Sequence, residues 1–143
     1  MNPIEYIEVK RRENMGATRD LALTGAPFRG IAINETGDSN AVAVVASDSG
    51  ILFINEFAGT TTYTLPTVAD MKGKWYSFYC NAAEAILVKG GTGDVMSGGS
   101  SGAATNNDKV TSGATIGSWC IVTCDGTNYF VFAGTGTWTG ATI

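Results

Sequence analysis

Thr60-Thr61-Thr62-Tyr63-Thr64-Leu65-Pro66, followed after a short link by Gly73-Lys74-Trp75-Tyr76-Ser77-Phe78-Tyr79-Cys80, decides how the rest of this chain is read. The first run alternates polar and apolar residues and is rich in β-branched Thr, which suits a pleated strand with one buried face. Pro66 ends it, because proline cannot donate to a ladder and disfavours helix in the residue before it. Gly73 restarts the chain. In the strand that follows, Trp75, Ser77 and Tyr79 share one face and Tyr76, Phe78 and Cys80 the other, and one of the two must be core.

Working outward, the same device recurs: short strand, Gly-marked turn, short strand. On the N-terminal side, Phe28–Asn34, Ala41–Ser47 and Ile51–Phe57 read as strands, separated by the loop 35–40 and the turn Asp48-Ser49-Gly50. The small apolar run Ala41–Ser47 has the length of a strand buried on both faces. On the C-terminal side, Glu84–Lys89 is a further strand, and 90–109 is a Gly/Ser/Asn-rich stretch that reads as a long loop or two weak edge strands. Such a loop usually marks a contact surface. Ser118–Cys124 and Thr127–Ala133 flank Asp125-Gly126, a pair that supplies the positive φ values of a tight type I′ hairpin turn. Gly134–Ile143, around Trp138, is an outer strand or an end with one anchor. Eight to ten short strands at this spacing, with no convincing helix, predict an all-β, antiparallel β-sandwich or jelly-roll-like body over residues 28–143.

Residues 1–27 differ. Ile4, Tyr6, Ile7 and Val9 are apolar points among charges, followed by Lys10-Arg11-Arg12. The segment reads as an extended N-terminal arm whose apolar and basic side chains lie on another protein; a disordered tail would not hold four such apolar residues within six positions.

Composition agrees with one β-rich domain. The chain has 143 residues with 19 Gly, 18 Thr and 3 Pro, and is 44% hydrophobic. Only 15% is charged, against about 25% in an average domain. So little charge leaves apolar surface in need of a partner. The net charge is −4 and unevenly spread: residues 1–30 carry five basic and four acidic groups, residues 31–143 four and nine. Neither nucleic acid nor an anionic membrane is an expected partner. No apolar run approaches the ~20 residues of a spanning helix, and Met1–Asn14 has no apolar signal core, so synthesis in a cytoplasm is expected. Cys120 and Cys124, four apart on one strand, stand about 13 Å apart and cannot bridge. Cys80 could meet one of them only across strands; buried reduced thiols are the expectation.

Catalytic chemistry finds no footing. The chain has no histidine, which removes Ser/His/Asp and Cys/His systems and the commonest metal ligand. The Gly90-Gly91-Thr92-Gly93 run lacks the ending of a phosphate-binding loop. Carboxylates such as Asp48, Glu56, Asp70, Glu84, Asp94 and Asp125 are candidates for an acid/base pair, but most sit in turns or at strand ends, and turn chemistry explains Asp48 and Asp125. No enzyme activity, cofactor or metal is expected. Trp75, Phe78, Tyr79, Trp119 and Tyr129 are expected in the core or at a subunit interface; the exposed-platform alternative would have Trp75, Tyr79 or Trp138 stack on a sugar.

At Asp48-Ser49-Gly50, Thr62-Tyr63-Thr64-Leu65-Pro66, Gly73-Lys74-Trp75-Tyr76-Ser77-Phe78 and Gly117-Ser118-Trp119 with Asp125-Gly126-Thr127-Asn128-Tyr129, the chain resembles a β-module of tailed-bacteriophage virion proteins. The resemblance spans roughly residues 41–135. It implies a β-rich, usually trimeric domain of capsid decoration (cement) proteins, head fibres or tail fibres, and carries over no catalytic residue. With a short arm and no shaft, the expectation is a decoration protein on the virion capsid surface. It would bind the major capsid protein through Ile4, Tyr6, Ile7, Val9, Lys10, Arg11 and Arg12, stabilise the shell and form a homotrimer. The alternative is a head- or tail-fibre tip binding a host receptor or glycan.

Overall fold

A computed structural model describes residues 28–91, 94–98 and 109–141. The arm residues Ile4, Tyr6, Ile7, Val9, Lys10, Arg11 and Arg12, and most of the 90–109 stretch, lie outside the described residues. Eleven strands are found among those described: β1 (Gly30–Asn34), β2 (Ala41–Ala43), β3 (Ile51–Asn55), β4 (Thr61–Thr64), β5 (Trp75–Cys80), β6 (Ile86–Lys89), β7 (Val95–Gly98), β8 (Lys109–Ser112), β9 (Trp119–Cys124), β10 (Asn128–Thr135) and β11 (Trp138–Ala141). They form a six-stranded sheet in the order β1-β3-β5-β9-β10-β7 and a five-stranded sheet in the order β11-β8-β6-β4-β2.

The all-β expectation holds; the antiparallel one is corrected. From β1 to β6 the chain changes sheet at every connection, so that β1, β3 and β5 lie parallel in one sheet and β2, β4 and β6 parallel in the other. Parallel neighbours need a long crossover. Here residues 35–50 and 56–74 supply it, each crossover holding one strand of the opposite sheet. The Gly-marked turns between these strands are arches from one sheet to the other. After β6 the pairing turns antiparallel: β8 on β6, β9 on β5, β10 on β9 and β11 on β8. Both sheets are therefore mixed, with β7 returning parallel to β10 at one edge.

Side chains of the two sheets meet in one apolar core. Phe53 stacks on Phe78 at 5.4 Å between ring centroids, and Tyr63 of the other sheet closes on both, at 5.6 and 5.1 Å. Such pairs contribute about 0.5–1.5 kcal/mol each beyond burial. Tyr76, Cys80, Ile86, Val88, Val110, Cys120, Val122, Tyr129 and Trp138 are among the other residues of the interior. The core face of β5 is thus Tyr76, Phe78 and Cys80. One end of the core is polar: Asn34 and Asn55, neighbours in register, are linked by Asn34 Nδ2 donating to Asn55 Oδ1 at 3.0 Å, and the Tyr63 hydroxyl donates to the same oxygen at 3.3 Å.

Three smaller expectations change. Ala41–Ser47 yields only the three-residue edge strand β2, with Ala41 and Ala43 exposed, and a 3-10 turn follows at Ala46–Asp48. The β9–β10 hairpin forms at Asp125-Gly126, but only Gly126 adopts a positive φ, of 96°. The loop is instead held by Asp125 Oδ1 accepting from the Thr127 and Asn128 amides at 2.8 and 2.7 Å. Trp138 anchors β11 as a fully buried side chain, its Nε1 donating to the Thr135 carbonyl at 3.2 Å.

Candidate functional site

Alternation along each strand gives every sheet an outer face, and the two outer faces differ sharply in chemistry. On the five-stranded sheet, rows across the strands read Ala41–Thr62–Leu87–Thr111–Thr139 and Ala43–Thr64–Lys89–Lys109–Ala141. Threonine and lysine make that face compatible with water. On the six-stranded sheet the rows read Ile31–Leu52–Ser77–Ile121–Phe132, Ile33–Ile54–Tyr79–Trp119 and, from β5 onward, Trp75–Thr123–Phe130. No charged residue stands in these three rows. Six large apolar side chains are exposed among the described residues, and four of them, Ile31, Ile33, Trp119 and Phe132, are on this face. A contiguous apolar sheet face of this kind is uncommon on the exposed surface of a monomer.

Near its centre the face is indented. Ser77 is the one small side chain in a row of Ile, Leu and Phe. It lies in a cavity of about 230 Å³ lined by Phe28, Leu52, Tyr79 and Trp119. The Phe28 ring leans on Trp75 at 6.1 Å, so the chain enters the body across this face. Ser77 is 1% exposed, and its hydroxyl has no hydrogen-bond partner among the described residues. Among the described residues, no basic group lines the cavity with Ser77.

The expected core-or-interface residues split between two locations. Phe78 and Tyr129 are fully buried in the interior. Trp75, Tyr79 and Trp119 are on the outer face, half-buried or exposed. Ser77 joins them on the face expected for it, and Phe28, Ile31, Ile33, Leu52 and Phe132, which the sequence does not single out, belong to the same surface. The available signal was that β1, β3 and β10 carry apolar residues on both of their faces.

The carboxylates act locally. Asp48 Oδ2 accepts from the Val45 amide at 3.0 Å, Asp70 from the Thr67 hydroxyl at 3.1 Å, and Asp94 from the Val68 and Gly91 amides at 3.2 and 3.1 Å. The Asn128 and Thr127 amides hold the Asp125 carboxyl below its ordinary pKa. Among the described residues no three His, Cys, Asp or Glu side chains are grouped to hold a metal, and no helix is long and apolar enough to cross a membrane. The three cysteines are free and buried, and burial pushes their thiols up. No family model matches the chain, and no curated protein matches it in sequence.

Proposed function

We propose that this chain is a structural virion protein of the decoration type, which binds the outer surface of a tailed-bacteriophage capsid and stabilises the shell. The observation that carries the proposal is the uncharged, aromatic-rich outer face of the six-stranded sheet, a surface built for protein contact. Its companion is the sequence resemblance, whose motifs fall on turns and strands of the body. In this reading the body is a trimer seated over a junction of capsid proteins, and residues 1–27 lie on neighbouring capsid subunits. Several such contacts per trimer give a multivalent grip. Because the protein engages only the assembled shell, it shifts the equilibrium toward that state.

A protein partner fits the socket better than a glycan does. At about 230 Å³ it is smaller than the ~300–1,000 Å³ of ordinary ligand pockets. Its lining is chiefly Phe, Leu and Trp, where sugar hydroxyls would lose hydrogen bonds to water without replacing them.

Co-sedimentation with purified empty phage shells tests the proposal. The full chain should bind saturably, and a chain lacking residues 1–15 should stay folded and lose binding. Full decoration by the truncated chain defeats the arm's role. No binding by the full chain, together with a glycan-array signal lost on Trp119→Ala, replaces the proposal with the fibre-tip reading.

A further inference from the structure

We infer that the outer face of the six-stranded sheet is where copies of this chain meet, with the Phe132 ring of one copy seated in the Ser77 socket of the next. This deepens the trimeric reading above and rests on it only for the number of copies.

Charge is the first argument. Residues 28–143 carry five basic and nine acidic groups, a net of 5 − 9 = −4, yet none stands in the three outer rows of this face. Copies of an acidic body repel through most of their surface. The uncharged face is where they approach without that penalty, and it offers nothing to complement a charged partner.

Area is the second. Ile31, Ile33, Trp119 and Phe132 keep 37–60% of their surface exposed. Taking large side chains at about 150–250 Å², these four present roughly 400 Å². That is half of the ~800 Å² that each partner of a standard complex buries. Leu52, Ile54, Trp75, Tyr79, Ile121 and Phe130, half-buried on the same face, add the area between and around them.

Shape is the third. Phe132, 60% exposed, projects from β10 in one half of the sheet. The socket is centred on β3 and β5, at Leu52 and Ser77, and reaches Trp119 of β9. A cavity of about 150 Å³ accepts benzene, so 230 Å³ admits a phenyl ring. Knob and hole at separate places on one face, with Ser77 two strands from Phe132, allow each copy to give its ring to one neighbour and take a ring from another. Such a contact closes into a ring of copies when the rotation permits.

The full-length chain is compared in sedimentation velocity with Phe132→Asp and Ile33→Lys, both at exposed positions, with circular dichroism as the check on folding. The wild type should be oligomeric at micromolar concentration, and each variant should stay folded and associate about 30-fold or more weakly. A Leu52→Cys/Phe132→Cys double variant locates the contact. The two positions are three strand spacings apart in one chain, about 14 Å, beyond the ~7 Å that a disulfide spans. Oxidation should therefore link chains to one another on a non-reducing gel. A wild type that stays monomeric, variants that keep the oligomer, or absence of the cross-link overturns the inference. So does a monomer that associates only after residues 1–27 are removed, since the chain's own segment would then be the cover. No shells enter these measurements: a chain that self-associates through this face and ignores shells defeats the proposed function and leaves the inference standing.

Discussion

Gly134 lies beneath the indole of Trp119, and a Cβ built on it would stand 2.0 Å from the ring. The close approach occurs at the irregularity where the β9–β10 register shifts between Ala133 and Thr135, bringing Thr135 opposite Trp119. A glycine is therefore what lets this tryptophan lie flat on β10 and wall the socket. Gly134→Ala should swing the ring outward, red-shift the tryptophan emission and lower stability by about 1–3 kcal/mol, the usual cost of overpacking. An unchanged spectrum and unfolding midpoint would contradict the packing described.

Asn55 holds the polar end of the core. Its Oδ1 accepts from Asn34 Nδ2 and from the Tyr63 hydroxyl. Asn55→Ala strands the Tyr63 hydroxyl and leaves Asn34 Nδ2 only the 3.4 Å bond to Thr61 Oγ1, and should cost about 2 kcal/mol in urea unfolding, whereas Tyr63→Phe, which removes a single donor, should cost about 1 kcal/mol. Equal losses would mean that the two hydrogen bonds do not converge on Asn55.

Ser77 should behave in the opposite way. Its buried hydroxyl has no partner among the described residues, so Ser77→Ala removes an unsatisfied group and should leave stability unchanged or raise it by about 1 kcal/mol. A loss of stability in urea unfolding would reveal a hydrogen bond that the described residues do not show.

Buried tyrosines set the alkaline limit. Burial pushes the Tyr76 phenol up to about 12 and raises Tyr63 and Tyr129 further, against roughly 10 in an unfolded chain. The folded state keeps these protons after the unfolded state has released them. Their contribution is fully present below pH ~10 and is lost as pH rises through the folded values. Stability should therefore fall progressively above pH ~10. Tyrosinate absorbance from these three should appear together with loss of the circular-dichroism signal. Ionisation of all tyrosines before unfolding would place them at the surface.

Thiol chemistry gives an independent check. Cys80, Cys120 and Cys124 are buried and free, with raised thiol pKa values. All three should resist a thiol reagent in the native protein and react fully in denaturant. A mass increase of two hydrogens on reduction would show a disulfide instead.

Much of this fold was legible in the chain itself. Period-2 alternation placed β4 and β5, the Asp125-Gly126 pair marked the β9–β10 hairpin, and the absence of histidine removed most catalytic designs. Elsewhere the local pattern is ambiguous. Gly-marked links such as residues 48–50 look alike whether they turn a strand back within its sheet or carry it across to the other. Ala41–Ser47 looked like a buried strand because a small apolar run resembles one until its neighbours are known. It became a short edge strand because only β4 pairs with it.

By itself, the sequence determined that the chain is strand-built, where most of its strands fall, and that the two faces of Trp75–Cys80 serve different ends, because these follow from local side-chain period and turn chemistry. Only the tertiary structure decided that β1–β6 alternate between sheets in parallel pairs. It also decided that Tyr76, Phe78 and Cys80 face the core, leaving Trp75, Ser77 and Tyr79 on a face with no charge. Those outcomes depend on which strands become neighbours, a long-range relation that no local pattern encodes. The Ser77 socket exists only because Leu52, Tyr79 and Trp119, from three strands, and Phe28, just ahead of β1, converge around one small side chain.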